Sequence, residues 1–343
     1  MGNNSQWTNS GGARSTQNKT LAVGYIAGGG ATITINGSGF GTKVGAPYFE
    51  DFESIPLQSY GAATVNIGSL IGSWGLGLSI SNTRASSGTR SLRSDFSAGL
   101  SGSGIDFPKV YYPLSATRTR AYLSCKLWIE GNGTVHIYKF ARAGAVAADV
   151  YGGHPHAGAS YNPSFDINSF GGEMIDGNDV TVGYGANNAA NPNNFATAFV
   201  KNQWLFYEAE IYTGTLNNAD AVYLETVNGL PTTIWTAKTY LTTANSQLPA
   251  WFISPLNGWD QATDNRGYMD DFYGDESRAR VVMTNNATYG SSTKFEIQPI
   301  VSWATNQIVV TKRGGSSFSA GNSIWLHVFD NTGTEVLVQS GTF

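Results

Sequence analysis

Apolar and polar residues alternate along much of this chain with a period of two. Residues 31–35 set the pattern: Ile33 and Ile35 are separated by Thr32 and Thr34, as in a half-buried strand. Comparable strand-like runs recur at 91–96, 121–129, 134–140, 179–184, 204–212, 221–227, 251–253, 267–273, 280–283, 307–312 and 323–329. Between them stand turn clusters such as Gly131-Asn132-Gly133 and Asn228-Gly229, the residue types that tight hairpins need. No segment of useful length carries a helical period. The expected fold class is all-β.

The first alternating run breaks at Gly37-Ser38-Gly39-Phe40-Gly41, a glycine turn with one aromatic to plug a core. A small immunoglobulin-like sandwich opens this way, yet the strands it needs do not follow. The stretch 49–276 has an order of its own. "YFEDFES" (48–54) and "ASSGTRSLRSDF" (85–96) lead to "QWLFYEAEIYTG" (203–214), "AVYLETVNGLP" (221–231) and "NRGYMDDFYGDESRARV" (265–281). In this order the segments resemble the concanavalin A-like lectin/glucanase jelly rolls, especially their laminin-G-like and carbohydrate-lyase-like branch. Further on, "SWATNQIVVTKR" (302–313) and "SAGNSIWLHVFDNTG" (319–333) resemble the later strands of immunoglobulin-like IPT/TIG domains. The usual opening of those domains is the pattern at residues 33–41.

The two resemblances imply an antiparallel jelly-roll sandwich plus a smaller immunoglobulin-like β-sandwich. Residues 21–48 and 277–343 together have the length of one immunoglobulin-like domain, about 100 residues. The smaller domain is therefore expected to be split, with the jelly roll 49–276 inserted after its first strands. Adjacent chain ends make such an insertion easy. The alternative is two consecutive domains with 21–48 as a leading strand. Residues 1–20 are polar, carry no apolar period, and read as a flexible or assembly arm.

Composition narrows the class of function. Charged residues are 13% of the chain, against about 25% in typical soluble domains. Net charge is −4 and no basic stripe exists, which argues against nucleic acid as a partner. No stretch approaches the ~20 apolar residues of a membrane span, so no membrane insertion is expected. Cys125 is the only cysteine, and an intrachain disulfide is impossible. The start, Met1 to Trp7, lacks the basic and apolar regions of a signal peptide. Cytoplasmic synthesis combined with an exposed-surface composition suits a virion component; the expected location is a virion surface, or the extracellular or cell surface.

Candidate chemistry falls into three groups. First and last strands of a jelly roll are neighbours, so Glu50 and Asp51 are expected near Asp270 and Asp271. A structural Ca2+, which takes 6–8 oxygens, would staple them; alternatively these acids merely flank strands whose Phe49, Phe52 and Phe272 fill the core. Sugar binding needs a flat aromatic ring with amide and carboxylate partners. Trp259 stands among Asn257, Asp260, Gln261, Asp264, Asn265 and Arg266, and residues 184–195 form a second amide-rich stretch. The tryptophans at 128, 204, 251, 303 and 325 fall in strand patterns and are expected in the core. His154 and His156, with Asp149 nearby, fall short of a zinc ligand set and read as loop residues.

Enzymes form the third group. Retaining glycoside hydrolysis needs two carboxyls about 5–5.5 Å apart on one face. Asp51 with Glu53, Glu208 with Glu210, and Asp271 with Asp275 have same-face spacing, but the hydrolase strand "E-x-D-x-E" is absent. A lyase needs a base and a group that neutralises a uronate carboxylate; His136, Tyr138, Arg142 and Gln203 are its candidate parts. On balance the sequence reads as a non-catalytic surface protein, a virion decoration or fibre component that contacts glycans. Its partners would be copies of itself or other virion or surface proteins. A secreted polysaccharide lyase is the enzymatic alternative, ahead of a glycoside hydrolase; a bacterial adhesin or filament subunit is a third reading.

Overall fold

The computed structural model describes residues 32–57, 73–74, 78–96, 109–131, 141–143, 164–168, 171–175, 181–183, 200, 202–212, 214–215, 218–238, 248–253 and 265–343. In chain order the strands are β1 (Thr32–Asn36), β2 (Tyr48–Glu50), β3 (Ser73–Trp74), β4 (Leu78–Ser81), β5 (Ser91–Phe96), β6 (Lys109–Arg118) and β7 (Arg120–Gly131). Next come β8 (Ala141–Ala143), β9 (Ser164–Asn168), β10 (Gly171–Ile175), β11 (Thr181–Gly183), β12 (Leu205–Tyr212), β13 (Ala221–Val227), β14 (Leu230–Lys238) and β15 (Leu248–Ile253). The last are β16 (Asn265–Asp275), β17 (Arg280–Thr284), β18 (Phe295–Ile297), β19 (Ile300–Trp303), β20 (Gln307–Thr311), β21 (Ser323–Phe329) and β22 (Glu335–Thr342). A single 3-10 turn, Tyr289–Ser291, is the only helical element among the described residues. The chain is all-β, as its alternation requires.

Two large antiparallel sheets form a sandwich of jelly-roll type. One runs β11-β10-β9-β8-β15-β6-β3, the other β14-β13-β12-β7-β16-β5-β4, with β2 paired to β16. In the second sheet the alternation sorts residues cleanly. Leu123, Cys125, Leu127 and Ile129 of β7 line up with Leu205, Tyr207 and Ala209 of β12 to form the apolar interior. Tyr122, Ser124, Lys126, Trp128 and Glu130 take the outer face, with Phe206, Glu208 and Glu210. At its N-terminal edge, Glu53 accepts hydrogen bonds from Thr89 N (2.7 Å) and Arg90 N (2.6 Å) and so fixes the turn that launches β5.

The remaining strands build a smaller sandwich. β1 pairs with β20 from Thr32↔Thr311 to Asn36↔Gln307, and β19 completes that three-stranded sheet. Opposite it lies the sheet β18-β17-β21-β22. Ile33, Ile35 and Phe40 share one core with Val281, Met283, Ile308, Val310, Leu326 and Val328.

β17 departs from alternation because both of its faces are buried. Val281 and Met283 enter the smaller core, while Val282 joins Tyr122, Phe206, Tyr273, Phe295, Ile297 and Phe329 in a second cluster between the sandwiches. There Phe206 and Phe295 stack with ring centroids 5.5 Å apart. Each such side chain contributes about 1.5–3 kcal/mol by leaving water, so the larger sheet's outer face is held firmly against the smaller sandwich.

Candidate functional site

Of the four acids singled out in the sequence, Asp51 and Asp271 converge, but on an arginine. β16 bulges between Asp270 and Tyr273, and Asp271 adopts φ 47°, which breaks the strict alternation expected for this strand. Asp270, fully buried, accepts the backbone N–H groups of Ser86 (2.7 Å), Ser87 (2.9 Å) and Asp271 (2.8 Å). Burial pushes its carboxyl well above the ordinary range, Asp271's charge adds to this, and the N–H groups oppose it. Arg313 spans the other two acids: Nη1 lies 2.9 Å from Asp51 Oδ2 and Nη2 2.9 Å from Asp271 Oδ1.

Glu50 turns elsewhere, accepting Phe52 N at 2.7 Å and Tyr48 Oη at 3.1 Å. The guanidinium therefore stands where the expected Ca2+ would bridge Asp51 and Asp271. Among the described residues no group of three or more His, Cys, Asp or Glu is arranged to hold a metal ion. The four acids do not fit a calcium site here.

Glu208 and Glu210, one of the carboxylate pairs weighed for hydrolysis, lie out of solvent beneath the smaller sandwich. Glu208 Oε1 accepts from Tyr122 Oη (2.8 Å) and Arg280 Nε (3.1 Å), and Oε2 from Thr226 Oγ1 (2.8 Å). Glu210 binds Arg280 Nη2 at 2.5 Å and Arg278 Nε at 2.6 Å. Burial acts to lower the Arg280 guanidinium, but Glu210 and Glu208 outweigh it and hold Arg280 firmly charged. The pair is structural. A sequence signal did exist: Glu-Ala-Glu at 208–210 and Arg-Ala-Arg at 278–280 share a spacing with opposite charge, the pattern of two facing strands.

Of the expected sugar site, Asn257, Trp259, Asp260, Gln261 and Asp264 lie outside the described residues, as do residues 184–195. Asn265 and Arg266 open β16. Trp128, Trp204, Trp303 and Trp325 are partly exposed, with Trp303 packed against the smaller core beside Phe40. The Trp128 and Trp204 rings lie with their centroids 5.9 Å apart and their planes inclined by 60°.

The lyase parts fall differently. His136 and Tyr138 lie outside the described residues, as do His154, His156 and Asp149, while Gln203 is an exposed residue leading into β12. Arg142 occupies the middle of the other large sheet. Its cross-strand row reads Tyr111, Phe252, Arg142, Asp166, Glu173 and Gly183. The row on one side is Tyr112, Trp251, Ala143, Phe165, Met174 and Val182, and on the other Val110, Ile253, Ala141, Ile167 and Gly172. Directly paired residues share a face and successive rows alternate. The Arg142 row carries three charged residues, and the rows on either side of it are predominantly apolar.

No family model and no curated protein matches this sequence. Solved structures do resemble it. A marine alginate lyase from Aplysia kurodai is 16% identical, with a TM-score of 0.44 over 68% of this chain and 99% of its own. The alginate lyase vAL-1 from Chlorella virus is 14% identical, with a TM-score of 0.40 over 62% of this chain and 98% of its own. An endo-beta-1,4-glucuronan lyase from Trichoderma reesei is 11% identical, with a TM-score of 0.41 over 68% of this chain and 95% of its own. These neighbours are lyases and stand against the expectation of a non-catalytic virion or surface component that is not an enzyme. At such identities the likeness concerns the jelly-roll fold, and the chemistry of this chain rests on its own residues.

Proposed function

We propose that the protein is a polysaccharide lyase acting on a uronate-containing glycan at the sheet that carries Arg142. The observation that carries this reading is the cross-strand row itself: Arg142 paired with Phe252 and Asp166, with Tyr111 and Glu173 one strand further on, between two predominantly apolar rows. Arg142 would pair with the uronate carboxylate and make the neighbouring C–H more acidic. A base then takes that proton, the electron pair forms the ring double bond, the glycosidic C–O bond breaks, and the leaving oxygen takes up a proton. Tyr138 and His136 precede Arg142 by four and six residues, the parity of one face in an extended chain, and are the candidates for base and acid.

We read the domain plan as the split one, with residues 21–48 and 277–343 forming an immunoglobulin-like, IPT/TIG-like unit around an inserted jelly roll. The pairing of β1 with β20 and their shared core support it. A polymeric substrate places the activity outside the cell.

The test is incubation with polymannuronate, polyguluronate and polyglucuronate, following the ultraviolet absorbance of unsaturated ends. One of the three should yield product, and Arg142→Ala should slow it about a hundredfold or more. A folded protein that produces no unsaturated ends from any of them would overturn the proposal.

A further inference from the structure

The chain passes between the two sandwiches twice. Residues 37–47 lead from β1 of the smaller one to β2 of the larger, and residues 276–279 lead from the end of β16 back to β17. At these crossings Lys43 meets Asp275, 232 positions further on, with Nζ 2.9 Å from Oδ1. The two side chains are only 4% and 0% exposed, so the pair is shut away from water.

The carboxyl of Asp275 is held at both oxygens. Oδ1 accepts Ser277 N and Ser277 Oγ, each at 2.9 Å, and Oδ2 accepts Tyr273 Oη at 2.8 Å. Lys43 Nζ is aimed by the carbonyl oxygens of Gly45 (2.9 Å) and Val44 (3.3 Å), to which it also donates. Gly45 has φ +69°, and the carboxyl of Glu276 packs so closely on it that a Cβ there would overlap the acid. Amine and carboxyl are thus kept against each other by a fixed frame. Burial raises the Asp275 carboxyl above its ordinary range, while Lys43 and the hydrogen bonds from Tyr273 and Ser277 oppose it. Burial thereby favours the neutral acid. Transfer of one proton from Nζ to Oδ1 leaves an amine beside an uncharged acid, the two forms that react.

We infer that Lys43 and Asp275 condense into an amide, an intramolecular cross-link that closes the chain around the larger sandwich. Nζ attacks Cγ, and the negative charge that gathers on Oδ2 is met by the Tyr273 hydroxyl. The Cγ–Oδ1 bond then breaks. Oδ1 carries the first proton and takes a second from the nitrogen, so one water leaves and no oxidant or activated group is consumed. Two reactants held in contact, away from solvent, gain the rate that the same groups lack when free. The bond would tie both crossings together and, by closing a long loop, restrict the unfolded chain. It does not depend on the lyase reading.

The test is the intact mass of the full chain, measured after denaturation. The parent should weigh one water less than its sequence requires. Lys43→Arg, which keeps the positive charge but presents no amine, should show its full mass, as should Asp275→Ala. Trypsin should fail to cut after Lys43 and release from the parent a branched fragment that joins residues 20–84 to residues 267–278. The parent alone is decisive, so the test stands where a variant does not fold. A parent of full mass, with Lys43 and Asp275 recovered in separate unmodified peptides, would overturn the inference. A lost water that persists in Lys43→Arg would overturn it too, by placing the dehydration elsewhere, as at the buried pair of Lys126 Nζ and Glu296 Oε1, 3.1 Å apart.

Discussion

Arg280 meets Glu208 across the seam between the two sandwiches, its Nε 3.1 Å from Glu208 Oε1, and both side chains are almost wholly withdrawn from water. The guanidinium plane is also sandwiched between rings, with Cζ 3.8 Å from the Phe329 centroid and 4.7 Å from that of Tyr122. Removing one partner of such a pair strands a charge, a cost of about 3–5 kcal/mol. Arg280→Ala should lower the free energy of unfolding by that amount in urea titrations. Glu208→Gln should cost less when made on top of Arg280→Ala than alone, because the two share the interaction. Additive losses would show that the pair is not coupled.

The larger architecture was legible where local pattern and burial agree. Ile33 and Ile35 alternate with threonines because one side of β1 faces the smaller core and the other does not. What the alternation concealed was partnership across long separations. Asp51 and Asp271 look like cation ligands because the residue that satisfies them, Arg313, is 42 positions beyond Asp271 and 262 beyond Asp51. Trp128 looks like core because it sits in a strand, whereas it is partly exposed. Arg142 was visible only as a residue type; its setting between two predominantly apolar rows needed the register of β8, β9 and β15.

Arg313 acts as a fixed counter-ion, and lysine cannot replace it. Its two terminal nitrogens reach Asp51, Asp271 and, at 3.0 Å, Ser87 Oγ. One ammonium cannot span that set. Arg313→Lys should destabilise by about 1–3 kcal/mol, since buried Asp271 loses a charged hydrogen bond. Chelation of divalent ions should leave the melting midpoint where it was. A midpoint that drops on chelation and returns with calcium would show that a cation, not this arginine, holds the acids.

Asp270 makes stability fall as pH rises out of the acid range. Its folded-state carboxyl titrates well above the ordinary value of 3.8, chiefly because it is buried. Between those two limits the folded protein binds more proton than the unfolded chain, so stability is greatest toward the acid end of that window and is lost as pH climbs through the raised value. Asp275 and Glu296 are raised in the same direction, again mainly by burial. Asp270→Asn removes one titration and should flatten the slope of unfolding free energy against pH. Its amide also faces N–H donors, so absolute stability should drop as well. Parallel slopes in variant and parent would rule out Asp270 as a source of the dependence.

The hairpin at Asn228-Gly229 carries the last prediction, because two glycines separate its causes. Asn228 locks the turn, with its N–H donating to Phe206 O at 2.7 Å and its Oδ1 accepting Phe206 N at 2.9 Å. Gly229 has φ +71°, and a Cβ there would lie 2.9 Å from the ring of Phe295, which stacks on Phe206. Gly229→Ala should therefore cost about 2–4 kcal/mol, combining the left-handed backbone with overpacking at the seam. Gly321 has φ +87° with nothing within 4 Å of its would-be Cβ. Gly321→Ala should show the backbone part alone, about 1–2 kcal/mol. The difference between the two variants in urea titrations measures how tightly the larger sandwich's hairpin is pressed on the smaller one. Equal losses would mean that Phe295 yields, and that the stacked Phe206–Phe295 pair does not fix the seam.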